Sequence, residues 1–117
     1  MYEEELTATV LAGIKGVAIE WTIGNTQQYQ FRNNGRTFLI VEVAHSSLAH
    51  DRRKAATYAR AGVSEYWIVD LAHQTVEVYR RPVAGRYEHT TTHRRPDVLR
   101  AEAFADIEIP LDRVLRG

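Results

Sequence analysis

The chain has 117 residues, enough for one domain with a single core, and no cysteine, which excludes disulfides and thiolate metal sites. No stretch has the length and apolar character of a membrane span, and the acidic start Tyr2-Glu3-Glu4-Glu5 does not suit a signal peptide, so a cytoplasmic location is expected. Net charge is zero but uneven: residues 52–100 hold ten basic and five acidic side chains, a +5 excess carried almost wholly by arginine, which permits nucleic-acid binding without requiring it.

Residues 1–15 predict a short helix with Leu6, Val10 and Ile14 on one face, weakened by Gly13 and Gly16. Strand-like runs at 17–23 and 26–32 flank Gly24-Asn25, a hairpin signature. Asn33-Asn34-Gly35 marks a second turn. The run at 38–44 then reads as a buried strand covered on both sides. Alternation puts Phe38, Ile40, Glu42 and Ala44 on one face and Leu39, Val41 and Val43 on the other. A helix from about 50 to 61 follows, capped by Ser46, Ser47 or Asp51 and stopped by Gly62. Ala55, Tyr58, Ala59 and Gly62 form its inward stripe, while Arg52, Arg53 and Arg60 face water.

A second buried strand at 65–70 completes strand, helix and strand, which predicts a right-handed βαβ crossover with parallel strands. Residues 75–80 and 86–92 alternate and form a hairpin through Pro82-Val83-Ala84-Gly85. Residues 97–117 predict a short strand, a turn ending in Ile109-Pro110 and a helical turn at 112–115. The fold class is α/β, with a mixed sheet, one βαβ crossover and flanking hairpins.

Glu42 is the anomaly in this pattern. A carboxylate buried without a partner costs several kcal/mol, so it is paired, metal-bound, protonated, or at a strand end that opens into a cleft. A parallel crossover puts the end of its strand at the carboxyl edge of the sheet, where open α/β sheets bind ligands. Lys54 and Tyr58 are four apart and share a helix face, and a helix packed back over the sheet directs Lys54 towards Glu42. Two readings stay open. In one, Glu42 holds a divalent metal beside Lys54, an arrangement that suits phosphodiester hydrolysis. Alternatively, Lys54 pairs with Asp51 and Glu42 pairs with an arginine.

The stretch LIVEVAHSSLAHDRRKAATYARAGVSEYWIVDLAHQTVEVYR, then GRY and the closing IEIPLDRVL, resembles the carboxy-terminal two-thirds of the Uma-two family of restriction endonucleases. That family is similar in its core to the PD-(D/E)XK nucleases. The matching features are Glu42-Val43, Ser46-Ser47, Asp51-Arg52, Lys54 with Tyr58, Ala61-Gly62-Val63 and Glu65-Tyr66-Trp67-Ile68-Val69-Asp70, in order, within residues 38–115. The resemblance implies a restriction-endonuclease-like domain over residues 1–117, with a divergent part at 1–37 and a family-like part at 38–115. It implies a Mg²⁺- or Mn²⁺-dependent endonuclease with DNA as partner, no membrane, and a homodimer. Glu42 then falls in the metal-ligand role. The catalytic lysine, usually two residues after that acid where Ala44 stands here, falls on Lys54 of the following helix. Tyr58, Tyr66 and Trp67 are expected to pack the core.

The chain departs from the family at its amino end. The upstream Pro-Asp, whose Asp is the family's second metal ligand, has no counterpart; the only Pro-Asp is Pro96-Asp97, on another element. Glu20 is the nearest substitute in chain order, with a solvent-facing role as its alternative. His45, where family members show Asp or Ser, is a further candidate as ligand or base. Two functions are therefore expected: an active endonuclease, or a shortened relative that binds DNA or protein without cutting. In a third, the amino-terminal 35 residues cap and switch the site.

Overall fold

A computed structural model describes residues 17–23, 26–33, 35–44 and 48–115. The helix expected at 1–15, the Gly24-Asn25 turn, the caps Ser46 and Ser47, and His45 lie outside them. Six strands form one sheet in chain order: β1 (Val17–Ile23), β2 (Thr26–Asn33), β3 (Arg36–Ala44), β4 (Glu65–Asp70), β5 (Thr75–Val83) and β6 (Arg86–His93). All neighbours are antiparallel except β3 and β4, which are parallel. The helix α1 (Leu48–Arg60) joins that parallel pair as the expected crossover. Two further strands, β7 (Val98–Ala101) and β8 (Phe104–Pro110), pair with each other, and a single helical turn, α2 (Leu111–Val114), follows.

Both faces of β3 are covered, as its continuous apolar run requires. Leu39, Val41 and Val43 join Trp67, Val69, Val76 and Val78, packed under Leu99, Ile109, Leu111 and Leu115 of the carboxy-terminal elements. Ile40 and Ala44 join Tyr66 and Ile68 beneath Ala55 and Val63 on the helix side. The layers are therefore helix, sheet and a small hairpin. Phe38 breaks the alternation: it packs on the Leu39 side, with its ring 6.4 Å from that of Phe31. The register of β2 against β3 shifts between Phe31 and Arg32, and that irregularity disrupts the period of two where Phe38 lies.

The end of α1 follows its glycine. The amide of Val63 donates to the carbonyl of Tyr58 at 3.1 Å, and that of Gly62 to Ala59, with Gly62 at φ +79°. This is a Schellman closure, which needs a left-handed residue past the helix. Gly62 is exposed rather than on the inward stripe, because that position lies beyond the last helical turn. The β5–β6 turn is tighter than expected. Strands run to Val83 and from Arg86, leaving Ala84 and Gly85, both at positive φ, as a two-residue loop. Residues 104–110 form a strand where the sequence predicted a turn. Ile109 pairs with Leu99 and is buried, and Pro110 closes the strand at the point where α2 begins. Among the described residues no helix is long and apolar enough to cross a membrane.

Candidate active site

The parallel register of β3 and β4 places Glu42 opposite Ile68, and the antiparallel neighbours extend the row to Gln28 on β2 and Glu77 on β5. This row faces α1. Glu42 is fully buried, at 0% exposure, as is Asp51 in the first turns of α1. Lys54, one turn further on, places its Nζ 3.2 Å from Glu42 Oε1 and 3.4 Å from Asp51 Oδ1. The two pairings weighed for Lys54 are therefore made together. The cation at Glu42 is this lysine, not an arginine.

Two more donors converge on the same oxygen. Gln28 Nε2 donates to Glu42 Oε1 at 2.5 Å and to the Tyr58 hydroxyl at 2.7 Å. The Tyr58 hydroxyl in turn donates to Glu42 Oε1 at 3.2 Å. Glu42 Oε2, by contrast, is buried with no hydrogen-bond partner among the described residues. Gln28 is held from behind by a file of side chains on one face of β2. Gln30 Nε2 donates to Gln28 Oε1 at 2.8 Å, and Arg32 Nη2 donates to Gln30 Oε1 at 3.1 Å.

The phenols around the site are fixed as donors. Burial, then the charge of Glu42, pushes the Tyr58 phenol far above its ordinary range. Burial, then Glu42 and Asp51, does the same for Tyr66. Tyr66 spends its proton on the backbone carbonyl of Asp51 at 3.0 Å, which ties the start of α1 to β4. Tyr58 stacks edge-on against Tyr66 at 4.9 Å, so packing and polar contact belong to the same side chain. Farther along the row, Arg52 forms a two-pronged ion pair with Glu77, and the Tyr79 hydroxyl donates to Glu77 Oε1 at 2.6 Å. The hydrogen bonds from Arg52, and more weakly Tyr79, hold the Glu77 carboxyl below the usual carboxylate range.

The structure thus brings Glu42 and Lys54 into contact and adds Gln28, Asp51 and Tyr58, none of which had been assigned to the site. Tyr58 carried a signal, the helix face it shares with Lys54. Gln28 carried only a polar alternation on β2, which reads the same for a solvent face until the register is known. Glu20 pairs with Tyr29, which pairs with Val41, so its backbone stands one step out of the Glu42 row; its side chain lies outside the described residues.

Among the described residues no group of three or more His, Cys, Asp or Glu could hold a metal ion. A hard cation asks for less: Mg²⁺ is usually held by one or two carboxylates plus waters and substrate phosphates. Gln28 turns its amide nitrogen to Glu42 Oε1, as Lys54 does its ammonium, so the fit rests on the carboxylate itself: its Oε2 is buried and unspent among the described residues, a hard oxygen donor that suits such an ion.

A family model described as "Putative restriction endonuclease", Uma2, matches residues 20–112. The chain belongs to the Uma2 family. No curated protein matches it. The match spans every element from within β1 to α2, including Glu42 and the whole of α1. The mixed sheet with its single parallel crossover is consistent with a restriction-endonuclease-like fold. Membership in Uma2 points to a nuclease, and restriction-endonuclease-like families are generally dependent on a divalent metal.

Proposed function

We propose that this Uma2 protein is a metal-dependent DNA endonuclease with Glu42 as metal ligand and Lys54 as catalytic lysine. The observation that carries the reading is the contact of Lys54 with Glu42 at 3.2 Å, under a helix and at a carboxylate that retains a free buried oxygen. Glu42, on a central strand, would hold Mg²⁺ or Mn²⁺. When bound, the ion supplies an activated water and neutralises charge developing at the phosphate. Lys54 is partly exposed, so its ammonium reaches both Glu42 and an incoming phosphate, where it steadies the attacking water or the leaving oxygen. Tyr58 and Gln28 fix the rotation of the Glu42 carboxylate through Oε1 and leave Oε2 for the ion. Ile68 and Tyr66 wall the site with apolar surface.

DNA as the substrate draws on the family and on the arginine-rich middle of the chain. A cleft of about 390 Å³ on the β5–β6 side of the site is lined by Arg52, His73 and Arg94 together with Asp70 and Glu77, so its charge is mixed and the DNA reading draws on the arginine excess of the middle as a whole. A homodimer, which would cut two strands, rests on the family resemblance alone.

The test is plasmid cleavage in Mg²⁺ and then Mn²⁺ by wild type, Glu42→Ala and Lys54→Ala. Cleavage by wild type and loss in both variants supports the assignment; undiminished cleavage by Glu42→Ala overturns it. A second reading, a member that binds without cutting, draws on Gln28. An amide, not a second carboxylate, faces Glu42 from the neighbouring strand. It predicts a folded wild type that cleaves with neither ion.

A further inference from the structure

We infer that Asp51 is the second carboxylate of the metal site, acting with Glu42 beside the Lys54 ammonium that both carboxylates contact. The inference rests on the nuclease reading above and names a ligand that it lacks. The neighbouring strand offers only the Gln28 amide, so a second acidic ligand has to come from another element. Asp51 is that residue by position. It is fully buried on the helix turn directly over β3 and β4, and one ammonium group lies within 3.4 Å of it and 3.2 Å of Glu42. Lys54 is thus a cation already seated between two solvent-excluded carboxylates, and it marks where positive charge is stabilised. Its stem reaches the surface, so it can withdraw towards solvent or a phosphate without leaving α1.

The placement of Asp51 is also fixed. Tyr66 donates its hydroxyl to the backbone carbonyl of Asp51 at 3.0 Å and so anchors it to β4. The oxygen-only character of the pair selects Mg²⁺ or Mn²⁺ over softer ions.

The test uses the whole chain and reads binding, not cleavage. Mn²⁺ affinity is measured by electron paramagnetic resonance for wild type, Asp51→Asn, Glu42→Gln and Lys54→Met, each checked for fold by circular dichroism. Asp51→Asn and Glu42→Gln are each expected to weaken Mn²⁺ by at least about tenfold, the loss of one charged ligand, and Lys54→Met to bind no more weakly than wild type. Because the chain has no cysteine, Asp51→Cys introduces a single thiol. It should bind Cd²⁺ with a thiolate charge-transfer band that weakens when Glu42→Gln is added, whereas any band of Asp112→Cys, at an exposed position of α2, should not respond to Glu42→Gln. Wild-type Mn²⁺ affinity in Asp51→Asn with loss in Glu42→Gln overturns the role of Asp51 and leaves the nuclease reading standing. Absence of the Cd²⁺ band in a folded Asp51→Cys overturns it as well. No Mn²⁺ binding by wild type overturns both.

Discussion

Glu42 and Glu65 are buried carboxylates on the two parallel strands, on opposite faces of one sheet, and their oxygens are used in opposite ways. Glu65 spends both. Its Oε2 accepts from the Trp67 indole at 2.6 Å and from Arg80 at 2.9 Å, and its Oε1 from the backbone amide of Glu102 at 2.8 Å. These donors stitch β4 to β5 and to the loop that joins β7 and β8. Glu42 crowds three side-chain donors onto one oxygen, and the other has no partner among the described residues. A carboxylate kept for architecture is saturated by groups that cannot move away, because each unmade bond in the interior costs about 1–3 kcal/mol. A carboxylate kept for chemistry retains capacity.

The comparison breaks if the two glutamates respond alike to the same isosteric change. Glu42→Gln is expected to lower metal-dependent cleavage by at least about 100-fold, in the range seen when one preorganised electrostatic group is lost. Its unfolding free energy should stay within about 1 kcal/mol of wild type, since the amide oxygen still accepts from Gln28 and Tyr58. Glu65→Gln should do the reverse. Among the described residues Arg80 keeps only the more distant Glu102 at 3.9 Å as a charge partner, and the loss of the charge that the Trp67 indole, Arg80 and the Glu102 amide all address should cost about 2 kcal/mol, read as a lower urea midpoint. A destabilisation of Glu42→Gln equal to that of Glu65→Gln would make Glu42 a structural residue and remove it from the site.

The sequence revealed much of this frame because the physics that built it is local. The apolar run at 38–44, the glycine at 62 and the second run at 65–70 announce a covered strand, a terminated helix and a parallel partner. Glu42 was visible as a charge in the wrong place, and Lys54 followed from helical spacing. Gln28 was not visible, since its meaning depends on which residue of β3 lies opposite it, and β2 carries a register shift. Asp51 was read as a candidate helix cap, but α1 begins at Leu48, which puts it inside the first turn; its burial comes with β3 and β4, far away in sequence. The strand at 104–110 was hidden by Pro110, whose terminal position in β8 makes its missing amide harmless.

Glu77, two strands from Glu42 on the same face, sharpens the comparison through pH. Its carboxyl is held low by its bonds to Arg52, so the folded state binds its proton less readily than the unfolded chain. The stabilisation is present above the unfolded value, about 4.3 for glutamate, and is lost as pH falls through the lower folded value. Denaturation midpoints measured from pH 7 down to pH 3 should therefore fall less steeply in Arg52→Gln than in wild type. Equal slopes would show that the exposed Arg52 guanidinium contributes nothing to Glu77.

The smallest effect separates packing from chemistry within the row of tyrosines that crosses the helix-side face. Tyr58 and Tyr87 stand at its two ends, and each donates its hydroxyl once: Tyr58 to Glu42, Tyr87 to the backbone carbonyl of Val63 at 2.7 Å. Removing either hydroxyl should cost about 1 kcal/mol of stability, the net worth of one ordinary hydrogen bond. Tyr58→Phe also frees Glu42 to rotate and takes an acceptor from Gln28, so cleavage should fall by about three- to tenfold, as for a bond worth about 1 kcal/mol in the transition state. Tyr87→Phe leaves the carboxylate untouched and should cut at the wild-type rate once folded. If both variants lose activity in proportion to stability, the Tyr58 hydroxyl serves the fold alone. If only Tyr58→Phe slows cleavage, the three donors on Glu42 Oε1 act together to aim the oxygen they leave free.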